Sequence, residues 1–156
     1  MLGHADVKRE MMETTIKKYE LRKNDTNFAR VTIKDSQLAA DFIRSFYSDD
    51  IGIFESSFIL LLDQSNTTIG YAKISQGGIA GTVVDPIIVA KYAVDSLAKG
   101  IILAHNHPSG NLNPSEGDIA ITKKIKARLA LFDINVLDHI ILTETSYTSL
   151  SDLGLF

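Results

Sequence analysis

The run TVVDPIIVAKYAVDSLAKGIILAHNHP, residues 82–108, constrains the fold more than any other part of the chain. Asp85 before Pro86 is a capping residue followed by the residue preferred at a first helical position. Gly100 is the residue preferred just past a helix end. A helix is therefore expected between them, ending at Gly100. IILAHNH follows at once, an apolar run of strand length closed by Pro108, and it reads as a buried strand.

The same alternation continues on both sides. ARVTIKDS reads as a short strand, and Ser36 is the expected N-cap of a helix in QLAADFIRSFYS, where Leu38, Phe42, Ile43 and Phe46 recur at helical spacing. ESSFILLLDQSNTTIGYAKISQGG is an apolar β-rich run broken at Asp63 to Asn66 and then alternating, which predicts a hairpin. PSGNLNP predicts a loop, SEGDIAITKKIKARLALFD a helix, INVLDHIILT a strand, and YTSLSDLGLF a short edge or tail. Intermingled strands and helices predict an α/β layered domain with a mixed sheet. Residues 1–27 are expected to form an N-terminal arm, and residues 28–156 the domain.

Composition narrows the chemistry. The chain has no cysteine, so thiolate zinc sites, disulfides and cysteine nucleophiles are excluded, and a metal must be held by histidine and carboxylate. With 16 basic and 19 acidic side chains the net charge is -3, without the footprint of a strong nucleic-acid binder. No apolar run is long enough to span a bilayer, and MLGHADVKREMMETTIKKYE lacks the pattern of a secretory signal. The expectation is a cytoplasmic protein without membrane contact, of open oligomeric state.

The chemistry concentrates in HNHPSGNLNPSEGD. Residues two apart on a strand share a face, so His105 and His107 project together while Asn106 points away. The seven-residue loop PSGNLNP leads to a helix whose first turn carries Ser115 and Asp118 on one face. Two imidazoles and a carboxylate are a metal-ligand set. The bland alternatives are a helix-start capping box for Ser115 and Asp118, and polar strand-end residues for the two histidines.

This stretch resembles the H-x-H-P, seven-residue, S-x-x-D signature of the JAMM (MPN+) zinc metalloprotease superfamily. LAHNHPSG, LDHIIL and YTSL are similar to its bacterial RadC branch, and the resemblance covers roughly residues 50–156. It implies a JAMM/MPN-like αβα domain of cytidine-deaminase-like architecture. It further implies one zinc per chain held by His105, His107 and Asp118, with Ser115 stabilising an oxyanion. A metal-activated water would be the nucleophile, with an upstream glutamate as general acid/base and a peptide or protein as substrate. Glu55, opening FESSFILLLD, is the glutamate at the corresponding place. Glu116 would face away from Ser115 and Asp118.

His139 matches a family feature and is a candidate to support the site from behind the ligands, with Asp138 as its partner; a satisfied structural histidine is the simpler reading. Asn106 is a candidate to orient the loop. His4 belongs to the arm. Lys123, Lys124, Lys126 and Arg128 around Ile121, Ile125 and Leu129 read as a solvated helix face. Gly77, Gly78 and Gly81 lack the lysine and hydroxyl residue of a phosphate loop. Two departures from the RadC pattern stand out. No helix-hairpin-helix module is expected ahead of the domain, and Pro86-Ile87 stands where the family often has Pro-Arg. The leading expectation is a zinc-dependent peptidase or isopeptidase. The alternatives are a DNA-repair-associated RadC-like protein and a non-catalytic, metal-stabilised interaction domain.

Overall fold

In a computed structural model, which describes residues 16–77 and 83–156, the chain builds a five-stranded mixed sheet between helices. In chain order the elements are α1 (Ser36–Arg44), β1 (Ser56–Leu62), β2 (Thr68–Gln76), α2 (Pro86–Asp95), β3 (Gly100–Asn106), α3 (Glu116–Ala130), β4 (Asn135–Leu142) and β5 (Tyr147–Ser149). The strand order is β2-β1-β3-β4-β5. β1 runs antiparallel to β2 and β3, β3 and β4 are parallel across the α3 crossover, and β5 closes the edge antiparallel to β4.

Every residue of β1 and of β3 is buried, because helices cover both faces. This is why these strands are apolar throughout rather than alternating. On one face Ile59, Leu61, Ile101, Leu103 and Val136 pack with Val89 and Ala93 of α2 and Ile125 and Leu129 of α3. On the other, Leu60, Leu62, Ile102, Ala104, Ile140 and Leu142 pack with Ala39, Ala40 and Ile43 of α1. The result is the αβα sandwich expected.

Four local expectations need correction. ARVTIKDS is not a strand: among the described residues only the bridge between Thr32 and Thr67 forms. The chain turns into α1 at Asp35, leaving too few residues to pair along the outer edge of β2. The N-cap of α1 is Asp35, whose Oδ1 accepts from the Leu38 N–H at 2.7 Å; Ser36 is the first helical residue and donates instead to Asp152. α2 ends at Asp95, not at Gly100. Leu97 takes the left-handed conformation (φ 57°), its N–H bonding Val94 O at 3.0 Å and the next N–H, of Ala98, bonding Ala93 O at 3.1 Å. That is a Schellman closure made without glycine. Gly100 instead opens β3, where an added Cβ would press on the Leu137 side chain at 3.3 Å. Finally, Asp138 is not a partner of the His139 ring, as described below.

Among the described residues no helix is long and apolar enough to cross a membrane. His4, Gly78 and Gly81 lie outside the described residues. The basic residues Lys123, Lys124, Lys126 and Arg128 are exposed on α3 while Ile125 and Leu129 are buried, a solvated face as read.

Candidate metal centre

β3 delivers His105 at its C-terminal end, and His107 follows one residue beyond the strand, still held in extended register by its N–H to Leu142 O at 2.8 Å. The chain then turns at Gly110, whose φ of 81° suits glycine and whose N–H bonds His107 O at 3.0 Å. The loop returns to α3, whose first turn faces the two imidazoles.

Ser115 and Asp118 form a complete capping box. The Ser115 Oγ accepts from the Asp118 N–H at 3.0 Å, and the Asp118 Oδ2 accepts from the Ser115 N–H at 2.8 Å. The metal and capping readings of this pair are therefore not exclusive, since capping leaves Asp118 Oδ1 3.3 Å from His105 Nε2. His105 Nε2 and His107 Nε2 are 2.9 Å apart, and His107 Nε2 is 3.8 Å from Asp118 Oδ2. The three groups present one ligand atom each within 4.8 Å of one another and could hold a metal ion. Ligands about 2.0–2.2 Å from a tetrahedral ion stand roughly 3.3–3.6 Å from one another. The two Nε2 atoms are 2.9 Å apart and stand 3.3 and 3.8 Å from different oxygens of Asp118, around that range, so the donor set fits such an ion once the carboxylate turns one oxygen to both imidazoles.

Hydrogen bonding behind the donors matters equally. His107 Nδ1 is 2.6 Å from the Asn111 carbonyl oxygen. A carbonyl only accepts, so Nδ1 carries the hydrogen and the neutral ring turns a bare Nε2 to the site. His105 Nδ1 is 2.8 Å from His139 Nε2, and His139 Nδ1 is 2.6 Å from Thr122 Oγ1. His139 is wholly enclosed; burial, with the neighbouring His105, pushes its pKa down to about 3 and keeps it neutral. Burial alone would raise Asp118, but the hydrogen bond and charge of His105, with the Ser115 contacts, hold this carboxyl well below the usual carboxylate range.

Asp138 serves a different site. Its Oδ1 accepts from the His139 backbone N–H at 2.7 Å and the Ser151 N–H at 3.0 Å, and its Oδ2 from Ser149 at 2.6 Å. It ties β5 and the C-terminal turn to β4; the ring of His139 instead contacts His105 and Thr122. Burial raises the Asp138 pKa.

Asn106 does point away from the histidines, and its partners are now identified. Its Oδ1 accepts from the Ser56 N–H at 2.7 Å, and its Nδ2 donates to Ile51 O at 2.5 Å and Phe54 O at 2.8 Å. It fastens the segment that carries Glu55. Tyr47 adds a bond from its hydroxyl to Ser56 O at 2.9 Å. Burial, then the charges of Glu55 and Asp50, push its phenol pKa up.

Glu55 itself sits one residue ahead of β1, half-buried, with its carbonyl bonded to the Gly77 N–H at 2.9 Å. Ser57 pairs with His105 across the β1–β3 ladder. That pair is the last of the ladder, and Glu55 lies two residues before Ser57 in the chain, on the segment fastened by Asn106. Glu55 does not belong to the three-residue ligand group, and Glu116 is exposed at the start of α3.

Thr122 is the residue sequence reading missed. It lies four residues after Asp118 and so on the same face of α3, a spacing that could have revealed it.

Comparison with known proteins gives this geometry a lineage. A UPF0758 protein of Flavobacterium johnsoniae is 51% identical over 102 residues, 65% of this chain and 44% of that protein. One from Porphyromonas gingivalis is 39% identical over 127 residues, 81% of this chain and 55% of that protein. Another, from Neisseria gonorrhoeae, is 34% identical over 125 residues, covering 80% and 55% respectively. The chain thus spans about half the length of these curated relatives. The family model of the RadC-like JAB domain matches residues 33–155, and the chain belongs to that family, a branch of the JAB/MPN superfamily.

Proposed function

We propose that this chain is a zinc-dependent hydrolase of peptide or isopeptide bonds. The observation that carries the reading is the convergence of His105 Nε2, His107 Nε2 and the Asp118 carboxylate, which offer one ligand atom each within 4.8 Å of one another. The absence of cysteine and the donor types favour a zinc site of the catalytic kind, with three protein ligands and one open position. Bound there, zinc would supply Lewis acidity, activating a water and polarising the scissile carbonyl.

The protein's own groups account for the remaining steps. Glu55 takes the proton from the attacking water and returns it to the leaving amine nitrogen, so that no charged amide fragment is expelled. Ser115 uses its oxygen to cap α3, and its hydroxyl hydrogen remains available to donate to the developing oxyanion. Asn106 holds the Ile51–Ser56 backbone, and with it Glu55, against the end of β3. The net charge of -3 favours a peptide or protein substrate over nucleic acid.

The test is cleavage of fluorogenic peptide and isopeptide-linked libraries by zinc-loaded protein. Cleavage abolished in Glu55→Gln, with zinc content unchanged, supports the reading. Cleavage that survives Glu55→Gln contradicts the role of Glu55. A fully zinc-loaded protein that cuts nothing points instead to a metal-stabilised interaction domain.

A further inference from the structure

A buried chain of hydrogen bonds runs from the candidate metal site into the body of α3. From His105 Nδ1 it passes at 2.8 Å to His139 Nε2, from His139 Nδ1 at 2.6 Å to Thr122 Oγ1, and from Thr122 Oγ1 at 2.6 Å to the Asp118 carbonyl oxygen. His105, Thr122 and His139 are 3%, 0% and 3% exposed, so no solvent molecule replaces a missing partner. Each link must be made within the protein.

With both imidazoles neutral, as metal ligation by His105 requires, they and the one hydroxyl admit two orientations of this chain. In one, Thr122 donates to His139 Nδ1, His139 Nε2–H donates to His105 Nδ1, and His105 carries its hydrogen on Nε2, toward His107 and Asp118. In the other, His105 Nδ1–H donates to His139 Nε2, His139 Nδ1–H donates to Thr122, and the Thr122 hydroxyl donates to the Asp118 carbonyl. Only the second leaves the His105 Nε2 lone pair free for an ion. Hydroxyl oxygen is the one terminus that serves both, because it donates and accepts.

We propose that Thr122, acting through His139, sets the tautomer of His105 and so readies its Nε2 for the metal. This rests on His105 being a metal ligand, as proposed above. Thr122 is a positioning residue: it touches neither substrate nor ion. It also ties the ligand carboxylate to the ligand imidazole, since the carbonyl that terminates the chain belongs to Asp118, whose side chain stands 3.3 Å from His105 Nε2. Without Thr122 the loaded state strands an N–H of His139 in the interior, whereas the empty state strands only a lone pair. Orphaned buried N–H groups are the rarer and costlier of the two. Loss of the hydroxyl therefore weakens metal binding more than it weakens the empty fold.

The test is zinc affinity by chelator competition, with nitrogen-15 NMR of the imidazoles in the loaded protein. Thr122→Val, close in shape, is expected to bind zinc about 10–100-fold more weakly with its circular dichroism retained, and Thr122→Ser to restore the parent affinity. Loaded parent protein is expected to carry hydrogen on Nδ1 of both His105 and His139. An unchanged zinc affinity in Thr122→Val overturns the proposal while leaving the metal site standing, as does a loaded His105 that coordinates through Nδ1. Parent protein that binds no zinc overturns this proposal together with the proposed function.

Discussion

Replacing Asn106 with alanine tests the link between the fold and the site. The Asn106 side chain is fully buried and satisfies three backbone groups fifty or more residues away in the chain: Ser56 N–H, Ile51 O and Phe54 O. The Ser56 N–H is itself buried, and leaving it unpaired costs about 1–3 kcal/mol. The two carbonyls are partly accessible to water, so each loses a net bond of about 0.5–1.5 kcal/mol. A loss of about 3–4 kcal/mol is expected, a large share of the 5–15 kcal/mol typical of a domain. With a urea m-value of about 2 kcal/mol/M, the unfolding midpoint should fall by roughly 1.5–2 M. Asn106→Asp would set a buried carboxylate oxygen against the Ile51 and Phe54 carbonyls, so its midpoint near neutral pH should lie at or below that of Asn106→Ala. Under conditions where the variants remain folded, any turnover that depends on Glu55 should drop further than zinc content does. An Asn106→Ala midpoint equal to the parent's would refute the reasoning, because three bonds to separate groups cannot all be silent.

Two further outcomes follow from named residues. Leu97 is exposed and holds a left-handed conformation at the close of α2, so Leu97→Gly should stabilise the protein by about 0.5–1 kcal/mol; a lower thermal midpoint would contradict this. In chelator-treated protein, the His139 pKa lies near 3 when folded against 6.5 when free. The unfolded chain then binds the extra proton, so stability present above about pH 6.5 should be lost on acidification at up to about 1.4 kcal/mol per pH unit. Asp118, held below its ordinary value of 3.8, adds a further loss only at lower pH. Thermal melts between about pH 7 and 5 check this, and a flat profile would count against a neutral, buried His139.

The sequence made the frame of the site readable because its signals are local. The H-x-H spacing, the Pro-Gly loop and the Ser115 to Asp118 box all lie within one stretch of chain, and the structure brings their side chains together. Asp85 and Pro86 marked the start of α2 correctly for the same reason. What escaped was decided at long range or by competition. The partners of Asn106 are brought to it by the pairing of β1 with β3, which no local pattern encodes. Asp35 outcompeted Ser36 as a cap, and Ser36 turned to the distant Asp152. Gly100 matched a helix stop, yet Leu97 closed the helix and Gly100 opens β3, where the Leu137 side chain packs closely. Asp138 stood next to His139 in sequence, but neighbours on a strand point to opposite faces, so its carboxylate met β5 and the ring met α3.

The central claim is that His105, His107 and Asp118 hold a zinc ion. Metal analysis by plasma mass spectrometry of untagged protein, dialysed against zinc and then against buffer, tests it most directly. Asp118→Asn is the informative companion, since its amide oxygen can still accept from Ser115 N–H and preserve the cap of α3. The expected result is about one zinc per parent chain, with little or none in folded His105→Ala and Asp118→Asn. Parent protein without zinc, or variants that retain as much as the parent, would contradict it.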